Sequence, residues 1–184
     1  MWRMLCRSVG RRSGASAILR NAAKDETGAT AIEFAAVAGP FLAFLYMIIS
    51  LGLYFFTTFA LENAIETASR QIRTGQAQAA GLTQAQFQQL VFNNVPSFVT
   101  QSNLIVNVSS FASYAAITPV SCYSGPGIAN TSFTPGTQNA IVVASVCYNW
   151  DAVKNIPYLN RLGNQPDGSL LIQATTTFQT EPYQ

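Results

Sequence analysis

Residues 28–75 read GATAIEFAAVAGPFLAFLYMIISLGLYFFTTFALENAIETASRQIRTG, and this stretch decides the fold. From Phe34 to Leu61 it holds no charged side chain. Residues 35–60 form an apolar run of 26 residues, about 39 Å as a helix against a hydrocarbon core of about 30 Å. That is long enough to cross a bilayer with tilt or overhang. A secretory signal has an apolar region of about 7–15 residues followed by a small-residue cleavage site. This run is longer and no such site follows it, so it stays attached. Past Ala60 the helical spacing continues, with Leu61, Ala64, Ile65, Ala68 and Ile72 on one side and Glu62, Glu66, Arg70 and Arg73 on others. One helix therefore leaves the membrane as an amphipathic spine, with a favourable i,i+4 pair expected between Glu66 and Arg70. Gly75 and Gly81 mark its end.

Upstream of this stretch, six of the ten basic residues (Arg3, Arg7, Arg11, Arg12, Arg20, Lys24) precede the first acid, Asp25. The net charge of +2 thus conceals a basic arm in front of a body that, from Ala29 onward, holds four basic and six acidic residues. Such a split is what the positive-inside rule produces, and it argues against a nucleic-acid-binding body. It keeps residues 1–28 in the cytoplasm as a leader, makes residues 29–60 the transmembrane helix, and sends residues 61–184 across. A composition of 49% apolar and 10% charged residues fits a chain partly in lipid.

Two features distinguish the membrane segment from a plain anchor. Pro40 lacks the backbone donor that would bond to Ala36, so a loosening or kink is expected there. Ala31, Ala35, Gly39 and Ala43 recur every four residues and draw a small-side-chain stripe, which lets helices approach closely in lipid. The plainer reading of that stripe is the general abundance of alanine in membrane helices.

Downstream, Thr83 and Gln86 form a capping box, and Phe87, Leu90, Val91, Val95 and Phe98 give the apolar face of a second helix ending near Pro96. Residues 104–112, 140–150 and 170–180 read as strands, the last alternating Leu170, Ile172, Ala174, Thr176 and Phe178 against Gln173, Thr175, Thr177 and Gln179. A polar loop, 119–136, separates the first two, and turns at Pro157, Gly163 and Pro166-Asp167-Gly168 separate the last two. The expected fold is α+β: a long helix, a second short helix, and a three-stranded antiparallel sheet packed on the spine.

Cys6 lies in the leader, while Cys122 and Cys147 both lie on the translocated side. An oxidising compartment would join those two, worth about 3–4 kcal/mol on the chain-entropy estimate. Spacing alone leaves two buried thiols as the other reading. The chain has no histidine, which removes the commonest general base and metal ligand. Asp151, Asp167 and Glu181 are the only acids after Glu66, and each falls in a turn or near the terminus. Neither an enzyme nor a metal or other cofactor is expected. Asn107-Val108-Ser109 and Asn130-Thr131-Ser132 match a glycosylation pattern common enough to carry no weight.

At the head of the apolar run, Gly28 is followed at the fifth place by Glu33 and at the sixth by Phe34. This resembles the cleavage site of Flp-type prepilins. The 48 residues from Gly28 to Gly75, with the terminal Glu181-Pro182-Tyr183, are similar to the TadE-like family, minor pseudopilins of the tight-adherence (Tad/Flp) pilus. Gly39 departs from the bulkier apolar residue more usual before the proline, the leader is rather long, and the TadG-like and TadF-like groups share much of the pattern. The resemblance implies cleavage between Gly28 and Ala29 by a prepilin peptidase, and a place among pilin or pseudopilin subunits and the inner-membrane assembly platform.

The residues give a physical reason for such a site. Glycine has no Cβ to exclude the bond from a narrow protease cleft. A charge at mid-helix costs about 2.5–3.5 kcal/mol on insertion scales, less near an interface, so Glu33 needs either compensation or headgroup water. A reading from another class is an unprocessed, membrane-anchored periplasmic binding module, which would keep its leader.

Overall fold

The computed structural model describes residues 28–125, 128–151, 154 and 163–182. The basic leader 1–27 with Cys6, the turn at Pro157 and the terminal Tyr183 lie outside the described residues. Helix α1, Ala29–Arg73, is 45 residues long and runs unbroken through Pro40. Contacts divide the chain between Gly52 and Leu53 into two compact units. In the first, none of residues 30–52 is buried, and a Cβ added at Gly28, Gly39 or Gly52 would meet nothing within 4 Å.

The second unit is built on the remaining turns of α1. Leu61, Ala64, Ile65, Ala68 and Ile72 are all buried, as their spacing requires, while Glu62, Glu66, Arg70 and Arg73 are exposed. Glu66 and Arg70 do not form the expected pair; Arg73 instead reaches Glu181 at 3.6 Å, and the Arg73 carbonyl accepts from the Glu181 N–H. Both side chains of that ion pair are about half exposed, so it contributes little. Gly75 ends α1 at φ 77°, a left-handed conformation that costs glycine nothing. A one-turn helix, α2 (Gln76–Ala79), follows, and Gly81 at φ 58° closes it.

Helix α3, Gln84–Phe92, starts with both halves of the capping box: the Gln86 N–H donates to Thr83 Oγ1, and the Thr83 N–H donates to Gln86 Oε1 at 2.8 Å. It buries Phe87 and Val91 but stops at Phe92, four residues short of Pro96. Two effects end it early. Pro96 disfavours helical geometry at Val95, and the Asn94 amide donates to the Leu90 carbonyl at 2.8 Å, capping a freed acceptor. Val95 is half-buried, and Phe98, expected on the helix face, is 48% exposed in the turn beyond.

The strands are β1 (Leu104–Phe111), β2 (Tyr123–Gly125), β3 (Ile128–Ala129), β4 (Ile141–Trp150) and β5 (Leu170–Gln179). β1, β4 and β5 form the expected antiparallel sheet with β4 central, and β2 and β3 pair inside the long loop. The register sets Leu104, Tyr148 and Ile172 in one row and Val106, Val146 and Ala174 in the next. These belong to one core with the α1 stripe, Phe87 and Val91. Alternation along β5 follows its sequence, with Ile172 and Ala174 buried and Gln173, Thr175 and Thr177 exposed.

β4 departs from a half-buried strand, because every residue from Ile141 to Tyr148 is buried. Val120 and Cys122, in the long loop, lie on its second face. Cys122 is joined there to Cys147 by a disulfide with Cα atoms 5.9 Å apart, and Val120 accepts from the Gln173 amide at 3.0 Å. The same segment then runs beside β1, where Val108 exchanges backbone hydrogen bonds of 2.8 Å with Ser132 and Thr134.

Two measurements check this packing. Phe87→Ala should lower unfolding free energy by about 3–5 kcal/mol, as truncation of a buried aromatic does, while Phe98→Ala costs far less. Urea titration of the solubilised protein reads both. Non-reduced native protein should carry the Cys122–Cys147 bridge by mass spectrometry. Replacing both cysteines with alanine should cost about 3–4 kcal/mol in the same titration.

Candidate functional site

Gly28 stands directly before the first residue of α1, so the peptide bond to Ala29 lies at the helix boundary. No side chain of the described residues comes within 4 Å of where a Cβ at Gly28 would be. Glu33 is one turn into the helix and exposed, and among the described residues it has no hydrogen-bond or ion-pair partner. Phe34, beside it, is 75% exposed. Ala31, Ala35, Gly39 and Ala43 are exposed as well, so the small-residue stripe packs on nothing among the described residues. It shares the helix with Ile32, Val37, Phe41, Phe44 and Ile48, all more than half exposed. An uncovered apolar surface of this extent marks a contact with lipid or protein. Among the described residues, α1 is the one helix long and apolar enough to cross a membrane.

The uncharged run carries a second kind of residue toward its end. Thr57 is buried in the second unit, its hydroxyl donating to the Leu53 carbonyl at 2.7 Å, and Thr58 does the same to Tyr54 at 3.0 Å. Such back-bonding satisfies a hydroxyl inside an apolar helix. Tyr54 stacks on Trp150 at 6.1 Å, while Phe55, Phe56 and Phe59 point away from the core and are exposed. Sequence reasoning merged these positions with the membrane run. The signal available was the appearance of Tyr54, Thr57 and Thr58 among phenylalanines, after a run dominated by aliphatic residues.

The acids are engaged separately. Asp151 accepts from the Asn103 amide at 2.9 Å. Asp167 accepts from the hydroxyl and N–H of Ser169 and from Lys154, which hold its carboxyl well below the usual range. Glu181 pairs with Arg73. Among the described residues no group of three or more His, Cys, Asp or Glu is placed to hold a metal ion. Asn107, one of the two glycosylation matches, is 1% exposed and its amide donates to the Asn130 carbonyl, the other match. Its role is internal.

Two of the clefts among the described residues lie on the second unit. One, of about 220 Å³, lies between the helix residues Glu66, Ser69, Arg70 and Arg73 and the strand residues Thr176 to Phe178. The other, of about 470 Å³, is lined by Leu53, Thr57, Phe98, Tyr148 and Trp150 with a polar side of Thr100, Asn103 and Asp151. Burial raises the Tyr148 hydroxyl pKa above its ordinary value, against hydrogen bonding from Thr100. Neither cleft brings together a nucleophile, a base and an orienting group.

No curated protein and no solved structure matches the chain. The stretch that carries the glycine, the glutamate and the exposed helix does have a match: residues 28–70 fit the model of the TadE-like protein family, which is associated with the Tad pilus.

Proposed function

We propose that this protein is a pilin-like membrane subunit, a minor pseudopilin, that takes part in assembling a Tad/Flp-type adhesive pilus. A prepilin peptidase removes the leader 1–28, residues 29–60 anchor the chain in the inner membrane, and residues 61–184 form a periplasmic domain. Its partners are that peptidase, other pilin or pseudopilin subunits, the assembly platform and the bilayer. The observation that carries the reading is the coincidence of the family match with a helix that starts at Ala29 and exposes its apolar surface from its first turns. Pseudopilins assemble laterally through such surfaces, and the stripe of Ala31, Ala35, Gly39 and Ala43 supplies the close approach.

Cutting after Gly28 creates an ammonium at Ala29, a partner for Glu33, which has none among the described residues. The two residues are i and i+4, about 6 Å apart along the axis, so a pair within one helix competes with a pair to a neighbour. A pair to a neighbour fixes the stagger between helices and rewards assembly. A pair within the helix eases insertion and leaves assembly indifferent.

Gly28→Val should leave the leader attached. Among the described residues nothing lies within 4 Å of a Cβ at Gly28, so a failure to process reports on the peptidase rather than on folding. N-terminal sequencing of the membrane-purified protein decides it, and a variant that still begins at Ala29 would sink the assignment. Glu33→Gln should be cleaved and inserted normally but lose crosslinks to neighbouring subunits and lose piliation; wild-type crosslinking and piliation would remove the intersubunit role.

A further inference from the structure

The uncharged run is longer than a membrane needs. Phe34 to Leu61 is 28 residues, about 42 Å as a helix, while about 20 residues cross a 30 Å hydrocarbon core. Counted from Phe34, the core is filled at Leu53, the residue at which the second unit begins. The headgroup layer is roughly 5–8 Å deep on each side, so Phe55 and Phe56 fall within it, and tilt of the overlong helix brings Phe59, about 9 Å past Leu53 along the axis, to the same depth. Across those turns the helix is two-faced. Thr57 and Leu61 are covered by the second unit, but Phe55, Phe56 and Phe59 are 60%, 52% and 64% exposed.

The second unit adds aromatic groups of its own at this end. Phe98, in the turn after α3, is 48% exposed with its ring 6.0 Å from that of Phe56, and Trp150, at the end of β4, is half-buried against Tyr54. No charged residue occurs from Leu53 to Leu61. Four phenylalanines exposed by about half or more form a surface that water alone does not favour, at about 25 cal/mol per Å² of apolar area. In the sequence, Phe55, Phe56 and Phe59 follow directly on the apolar residues assigned to lipid. Tyrosine and tryptophan beside it are the residue types that settle at a membrane interface, with an apolar body and a polar edge.

We infer that this end of the second unit rests in the headgroup layer of the bilayer, with Phe98 inserted from outside the helix and Phe55, Phe56 and Phe59 inserted from it. The occupant of the aromatic surface is the lipid interface. The folded unit is thereby held against the membrane at two separate segments of chain, rather than carried away from it on a free helix. The inference rests on the membrane-anchor reading above.

A single indole at position 98 tests it. Phe98→Trp is combined with Trp2→Phe and Trp150→Phe in the full-length chain, reconstituted into phosphatidylethanolamine and phosphatidylglycerol vesicles with iodide on both sides. A parallel protein carries Phe59→Trp instead, and the Cys122–Cys147 bridge confirms that each has folded. The expected result is loss of iodide quenching at both positions and strongest quenching by lipids spin-labelled near the headgroup, weaker by labels deep in the acyl chain. An indole at 98 that stays open to iodide while that at 59 is shielded overturns the inference, because the helix alone then meets the lipid. Shielding at 98 from both iodide and lipid labels overturns it too, since protein rather than lipid then covers the surface. Protein extracted from the vesicles by alkaline carbonate would show that the anchor reading has failed, a result distinct from either.

Discussion

The second unit depends on one contact, the burial of the Leu61, Ala64, Ile65, Ala68 and Ile72 stripe of α1 against the sheet. A three-stranded sheet cannot hide its apolar face by itself, and a helix with one apolar stripe cannot hide that stripe in water. Each covers the other. Ala64 and Ala68 are buried in that core, and Phe87 from α3 fills the side of it toward Phe133, whose ring is 5.5 Å away. The chain returns to the same helix at its end, where the N–H of Glu181 donates to the carbonyl of Arg73 in the last turn of α1. That bond satisfies a helix-terminal acceptor and ties the exit of β5 to the spine.

The sheet's borders are treated unequally. β1 has its outer edge occupied by Ser132 to Thr134, with the Gln88 amide donating to the Leu104 carbonyl at 2.8 Å. β5 is covered at its start, where the side-chain amide of Asn164 exchanges two hydrogen bonds with the backbone of Leu171. These contacts blunt the tendency of a strand edge to pair with another chain. The disulfide at the centre then holds the covering segment onto β4, so the strand with no free edge is also the one with no free face.

How much of this the sequence disclosed depends on whether the signal was local. The α1 stripe, the capping box at Thr83 and the alternation along β5 are local patterns, and each took the form its residues prescribed. The end of α3 was misread because Val95 and Phe98 continue a helical spacing that Asn94 and Pro96 have already terminated. Burial of both faces of β4 was missed although IVVASVCY, residues 141–148, is nearly unbroken in apolar and small residues, the mark of a central strand. What covers its second face is a loop of polar composition, and such a loop carries no periodicity that would announce its position. Gly28, just before α1, and Glu33 and Phe34 in its first turns were legible as a motif, because a fixed spacing can be read along the sequence without knowledge of contacts within the chain.

That difference has a physical root. A stripe that packs inside the chain is completed by residues the same sequence encodes, and the second unit shows the complement in place. The surface of residues 30–52 has no such complement among the described residues: it is apolar on all sides, carries small residues with open space around them, and contains one carboxylate with no partner. A helix that is apolar all round is stable only in lipid or inside a larger protein, and a single acid in it is tolerated only near an interface or opposite a cation. The composition of this segment is therefore set by what lies outside the molecule. Its apolar length suits a bilayer, its small residues leave room for close approach, and among the described residues no positive charge stands beside Glu33.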